Sequence, residues 1–225
     1  MLKRILRKYA TGSDTYIRHR CVAELLKRHG AKTVLDVGGE GRLNSFVRDI
    51  TILSANISSA RGVDYTVDSG KLPFANESFD MAVSLDTLEH ISPTGRKDFI
   101  GEMLRVSIKG VILCAPLGTP EHIAYEREML KNGGIPEEDV KYLKEHIDNG
   151  LPEPEEILSL ASSYNAYMLY QGDFRGKGYP FKFWYFNVAW NLWHNIGASM
   201  SWDSCRHMVS AHNQFTNRFF FVALK

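Results

Sequence analysis

Apolar and polar positions recur along this chain with two periods, and their order predicts the architecture. Ile17, Cys21, Leu25 and Leu26 fall at helical spacing behind Ser13 and Asp14, either of which can cap a helix that Gly30 ends. Val34 to Val37 reads as a buried strand, and a helix is expected next through Leu43, Phe46 and Val47. A second strand is expected near Ile50 to Leu53 and a short third near Val63 to Val67. Phe79 to Leu85 predicts a fourth, because Met81, Ala82 and Val83 give the unbroken apolar run of a strand covered on both faces. Ser92 and Pro93 open a helix through Phe99, Met103 and Leu104, and Val111 to Ala115 makes a fifth strand. Strands alternating with helices imply a right-handed, doubly wound parallel sheet of the α/β class.

After Pro116 the alternation breaks. The segment to Gly150 is polar, with helices expected over Glu121 to Leu130 and Glu137 to His146. A helix over Pro152 to Ser162 resumes the fold, a strand follows at Tyr167 to Tyr170, and Phe215 to Lys225 reads as a terminal hydrophobic strand.

Composition narrows the class. The 225 residues, 44% hydrophobic, suffice for one core, so a single domain over 1–225 is expected, with a core at 13–116 and inserts at 117–150 and 176–212. A net charge of +1 argues against a broad basic face, and hence against nucleic acid as a partner. The local cluster Lys3, Arg4, Arg7 and Lys8 reads as a solvated helix end or as a phosphate or membrane-surface contact. Cys21, Cys114 and Cys205 are scattered, and Cys114 sits in an apolar run as a small core residue. Without a disulfide framework, a signal-type start or a membrane-length apolar run, a cytoplasmic location is expected. No metal is expected, because the acids and histidines lack ligand spacing.

The chemistry lies between Lys32 and His90. Thr33-Val34-Leu35-Asp36-Val37 feeds a loop, Gly38-Gly39-Glu40-Gly41, followed by Asp68, Leu72-Pro73-Phe74, Phe79-Asp80 and Leu88-Glu89-His90. A strand entering a glycine loop lets backbone approach a nucleotide-like ligand. This ordered series resembles the class I S-adenosylmethionine-dependent methyltransferases of the type 11 branch, over roughly Thr33 to Pro116. More loosely, the stretch from Ala115-Pro116 to Pro152 resembles methyltransferases found beside glycosyltransferases in cell-surface glycan pathways.

The resemblance implies a mostly parallel seven-stranded sheet, closed by an antiparallel hairpin, with a helical and aromatic-rich insert. It also implies S-adenosylmethionine as cofactor. On that reading Asp36 orients the loop or receives the cofactor's ammonium group, the alternative being an ordinary strand-end turn acid. Gly38, Gly39 and Gly41 approach the methionine portion, although the loop is one residue shorter than the G-x-G-x-G pattern. Relatives carry a ribose-binding acid at the end of the second strand, and here Ser54 and Asn56 stand instead. Asp64 is a weaker substitute from the next loop. Asp68 and the Ser69 amide would take the adenine, with Leu85 at the end of the fourth strand. Asp80 reads as structural, pairing with nearby backbone.

On the acceptor side, His90 is the leading catalytic candidate, as a general base or as a locally bonded loop residue. Glu121 and His122 come second and His146 third. The aromatic run Tyr179 to Phe186, continuing through Trp190, Trp193 and His194, reads as core or lid, or as a pocket for an aromatic, sugar or lipid-linked acceptor. Methyl transfer to oxygen of a small-molecule or glycan/lipid-linked acceptor is the expected function. A non-catalytic methyltransferase-fold subunit is the alternative, and a nicotinamide-dependent oxidoreductase explains the later motifs less well.

Overall fold

The computed structural model describes residues 9, 11–68, 70–133, 137–176, 189–196 and 208–225. Helix α1 (Ser13–Arg28) precedes strand β1 (Thr33–Val37), then β2 (Thr51–Asn56), β3 (Tyr65–Thr66) and β4 (Phe79–Leu85). Next come α2 (Pro93–Val106), β5 (Ser107–Pro116), α3 (Pro120–Asn132), α4 (Glu137–Asn149), α5 (Pro154–Ser163), β6 (Tyr167–Asp173) and β7 (Thr216–Leu224). They form one seven-stranded sheet in the order β3-β2-β1-β4-β5-β7-β6. The first five strands pair in parallel, and β7 lies antiparallel to both β5 and β6.

Strand periodicity divides the core into two faces. Val34, Met81, Val83, Ile112, Cys114, Phe220 and Val222 meet Cys21, Val22, Leu25 and Leu26 of α1 on one face. Leu35, Ala82, Val111, Leu113, Phe219 and Phe221 meet Ile100, Met103 and Val106 of α2, and Ile157 of α5, on the other. Burying each such side chain contributes about 1.5–3 kcal/mol. A helix on either face of the same strands is what made those strands read as continuous apolar runs.

Three local expectations change. The helix through Leu43, Phe46 and Val47 is only a single 3-10 turn, Leu43–Ser45. Residues 43–50 must return the length of the five-residue β1, about 16 Å at 3.3 Å per residue. An α-helix of that span would rise only about 12 Å, so the chain is drawn out instead. The cap of α1 is Gly12, with no side-chain cap bond. Asp14 turns away to Arg18 and Arg218, at 2.8 and 2.6 Å. The third strand is also shorter than its apolar run, pairing only Tyr65 and Thr66 with β2. No described helix is long and apolar enough to cross a membrane. The amino-terminal basic cluster, Cys205 and the run Tyr179 to Phe186 lie outside the described residues.

Candidate functional site

The sheet order reverses direction between β1, which has β2 on one side, and β4 on the other. Crevices at the carboxyl ends of strands flanking such a reversal are where ligands enter α/β sheets. The glycine loop lies there. Gly38 has φ +83° and Gly41 φ +69°, both in the left-handed region. A side chain at Gly38 would strike Thr87, and one at Gly39 would strike the Asp36 carboxyl. These glycines are therefore required by the chain's own packing. The loop is tied to β2 by Gly38 N donating to Ala55 O at 2.7 Å. Asn56 Nδ2 donates to Gly38 O at 2.8 Å and to Gly39 O at 3.5 Å.

Asp36 is 2% exposed. Burial pushes its carboxyl up to about 7, because a charge in a dry site loses its hydration. Among the described residues its Oδ1 has no hydrogen-bond partner, and neither does the hydroxyl of the fully buried Ser54, its register partner on β2. Two buried, unsatisfied polar atoms at the loop fit a ligand carrying donors and acceptors. The second strand's end is different. Asn56 is committed to the loop, and Asp64 bonds to the Ser54 backbone amide at 2.8 Å. The unsatisfied Asp36 and Ser54 atoms thus fit a polar, amino-acid-like end of a ligand such as S-adenosylmethionine, whereas no carboxylate stands at the end of β2 itself.

Val67 N donates to Asn56 O at 2.9 Å, which sets the exposed Asp68 just past the end of β2. Ser69 lies outside the described residues. Leu72-Pro73-Phe74 is nailed to α2: Leu72 N donates to Glu102, while Arg105 donates to Leu72 O and Phe74 O. The Phe74 ring meets Tyr65 and Phe79 edge-on, both at 5.2 Å. Asp80 accepts from the Lys32 and Thr33 amides, as its structural reading anticipated. Leu85 is half-buried against the α1 side of the core.

Beyond β4 the chain turns through Asp86, at φ +49°. Asp86 bonds to Arg18 at 2.6 Å and to Arg218 at 2.9 Å, and Arg218 reaches on to Asp14. Burial alone would raise the Asp86 carboxyl, but the two guanidinium groups outweigh it and hold it well below the usual range. This network clamps α1, β4 and β7 together behind the glycine loop. The turn Leu88–His90 follows, gripped by the buried Arg96, whose Nε donates to Leu88 O and Ile91 O. Arg96 also bonds to Glu156 at 2.6 Å and to Gly150 O.

That grip brings α3 and α4 over the turn. His90 Nδ1 lies 2.8 Å from Glu145 Oε2, and its ring centroid is 5.2 Å from that of His146. Burial, then the neighbouring His146, lowers the basicity of His90. His146 Nδ1 lies 3.1 Å from the buried Glu126, which is 3.6 Å from His122 Nε2. His122 is fully buried, stacks on Phe174 at 4.5 Å, and donates from Nδ1 to Leu117 O at 2.9 Å. A cavity of about 130 Å³ lies alongside, lined in part by Ile123, Glu126, His146 and Leu151.

The structure therefore joins His90 to His146 and, through Glu126, to His122, while Glu121 is exposed and, among the described residues, stands apart from this chain of contacts. Trp193 is 79% exposed and Trp190 45%, which removes both from the core. Sequence reasoning missed Arg96, Glu126 and the two arginines, Arg18 and Arg218, that hold Asp86. Arg96 sits in the polar run Gly95-Arg96-Lys97-Asp98, where nothing distinguishes a buried arginine from a solvated one.

Residues 46–115 match a family described as a methyltransferase domain, a stretch that begins after the glycine loop. Among solved structures, the plantazolicin methyltransferase BpumL in complex with S-adenosylhomocysteine is 9% identical, with a TM-score of 0.56 over 100% of this chain and 96% of that one. The same enzyme with a pentazolic desmethylplantazolicin analogue gives 9% identity and 0.58, over 93% and 84%. A SAM-dependent methyltransferase from Archaeoglobus fulgidus gives 12% and 0.51, over 92% and 94%. The chain has the class I methyltransferase fold. No curated protein sequence matches it significantly.

Within the methyltransferase fold, the seven strands, the antiparallel β7 and the glycine loop after β1 stand as the sequence led one to expect. The first crossover departs from that expectation, reduced to one 3-10 turn.

Proposed function

We propose that this protein is an S-adenosylmethionine-dependent methyltransferase acting on oxygen of a small-molecule or glycan/lipid-linked acceptor. The observation that carries the reading is the loop at the sheet's reversal point. Positive φ at Gly38 and Gly41, Asn56 pinning the Gly38 carbonyl and an unsatisfied Asp36 oxygen together form a polar cradle there. Asp36 would face the amino-acid end of the cofactor, Gly38, Gly39 and Gly41 would line the methionine portion, and Asp68 with Ser69 would hold the adenine. Ser54 and Asn56 take the place of the ribose acid, and Leu85 closes the strand end. When bound, S-adenosylmethionine supplies a methyl carbon activated by sulfonium charge.

The chain's own work is to align an acceptor with that carbon and to exclude water. Thr87 packs on Gly38 and leads directly into Leu88–His90, so His90 stands on the acceptor side. Helices α3 and α4 form the wall that meets the acceptor. The exposed Trp190 and Trp193 support an aromatic, sugar-like or lipid-linked acceptor, since such rings stack and sit at interfaces. The plantazolicin methyltransferase binds a pentazolic desmethylplantazolicin analogue, a further acceptor class to include in any screen.

The missing β2-end acid favours a second reading, a methyltransferase-fold subunit without activity. Calorimetric titration of the whole chain with S-adenosylhomocysteine separates the two. Micromolar binding at one equivalent, weakened about tenfold by Asp68→Ala, supports the enzyme, whereas no heat up to millimolar ligand removes it. Loss of one hydrogen bond to a charged group is worth about 1.5–3 kcal/mol, hence tenfold or more.

A further inference from the structure

Glu89, His90 and His146 each offer one ligand atom, and the three atoms lie within 4.8 Å of one another. They come from different elements: the first two from the turn after β4, the third from α4. We propose that these three side chains form a divalent metal site of the zinc type, with an open coordination position toward the acceptor side. It is separate from the cofactor cradle and independent of whether methyl transfer occurs.

Three observations argue for a ligand rather than a chance meeting. Glu89 is 1% exposed, and its Oε2 has no hydrogen-bond partner among the described residues. A buried carboxylate oxygen left unsatisfied is costly unless a cation or donor faces it. Next, the His146 ring is set by a carboxylate, its Nδ1 lying 3.1 Å from Glu126, while the buried His90 Nδ1 lies 2.8 Å from Glu145 Oε2 without a hydrogen bond. A neutral imidazole held at Nδ1 has its lone pair on Nε2, and this carboxylate–histidine pairing is how metal-ligating histidines are oriented. Finally, the turn is immobilised: Arg96 grips Leu88 O and Ile91 O, and Asn149 Nδ2 donates to His90 O at 3.3 Å.

The donor set selects the metal. Two imidazoles and one carboxylate suit zinc and its first-row neighbours rather than magnesium or calcium, which take oxygen ligands. Three protein ligands with a vacant fourth position are the arrangement of catalytic rather than structural zinc. Ligands of a tetrahedral zinc at about 2.1 Å stand roughly 3.4 Å apart, so the three groups need close in by no more than about 1.4 Å on binding. The ion's charge would balance Glu89, which shares the turn with the anionic Asp86.

The test uses the full chain, stripped with a chelator and titrated with zinc chloride alone in a calorimeter. Wild type, Glu89→Gln, His146→Ala and Glu126→Gln are compared, with circular dichroism establishing that each is folded. One zinc per chain is expected. Glu126→Gln should weaken binding about 10–100-fold, the usual effect of removing a carboxylate behind a ligand, and Glu89→Gln and His146→Ala should weaken it more. Cobalt substitution should then give visible ligand-field bands in wild type that both ligand variants lose. If His146→Ala fails to fold, the near-isosteric Glu89→Gln decides. Wild type that takes up no zinc, or variants that bind it as wild type does, would overturn the assignment.

Discussion

Replacing Asp36 with Asn tests the electrostatics of the cradle directly. Asp36 is fully enclosed at the end of the sheet, and its carboxyl rises from 3.8 to about 7 through burial alone. Below about pH 4 the acid is protonated in folded and unfolded chains alike, so it contributes no pH dependence. Between about pH 4 and 7 the unfolded chain gives up its proton while the folded chain keeps it, and stability therefore falls as pH rises. Once the folded group has also ionised, near pH 8, the penalty is complete. At about 1.4 kcal/mol per unit the rise corresponds to roughly 4 kcal/mol, and water admitted on ionisation reduces this toward about 2 kcal/mol.

Asn cannot ionise, so the stability of Asp36→Asn relative to wild type should climb by about 2–4 kcal/mol between pH 4.5 and 8.5. Any change in hydrogen bonding on substitution shifts the whole curve without altering its slope. Urea denaturation at intervals of pH measures the difference. A gap between the two proteins that stays constant across that range would refute the reasoning, because Asp36 would then not titrate where its burial places it. The cradle reading adds a second arm. If Asp36 meets the cofactor's ammonium group, S-adenosylhomocysteine binding near pH 7 should release a proton, seen as a buffer-dependent calorimetric enthalpy that Asp36→Asn abolishes.

Arg218 is 2% exposed and bonded to Asp86 and Asp14, so Arg218→Met should destabilise by about 3–5 kcal/mol in denaturant, leaving Asp86 buried with Arg18 alone. A loss under about 1 kcal/mol would show that the network is solvated. Gly38→Ala places a methyl group against Thr87 at a residue with φ +83°; we expect about 1–3 kcal/mol of destabilisation and loss of detectable S-adenosylhomocysteine binding. Thr87→Gly in the same chain should recover stability only in part, since the backbone strain persists. Asn56→Ala frees the loop carbonyls while removing one neutral hydrogen bond, so stability should fall by only about 0.5–1.5 kcal/mol. Its affinity for S-adenosylhomocysteine should drop severalfold, and unchanged affinity would show that the loop needs no such pin.

Period and punctuation carried the sheet. Val34 to Val37, Phe79 to Leu85 and Val111 to Ala115 were legible because strands covered on both faces must be apolar at successive positions. The helix over Pro93–Val106 was legible because Pro at its first turn marks where it begins, and the helix over Pro120–Asn132 was legible within a residue or two of its ends. The missing helix after the glycine loop was not legible: Leu43, Phe46 and Val47 have helical spacing, and only the distance back to the start of β2 forbids it. The same holds for Trp193, whose exposure depends on what surrounds it rather than on its own character.

Around the candidate site, the sequence by itself determined that the glycine loop, Asp36, Asp68 and the Glu89–His90 turn stand at strand ends, because each belongs to a local pattern attached to a strand. Tertiary structure decided the rest. It brought His146 to His90 and Glu126 to His146, buried Arg96 and Arg218, and committed Asn56 to the loop. Those contacts join residues far apart in the chain, and their strength comes from burial and fixed geometry. Neither exists until the sheet has closed and the helices have packed on it.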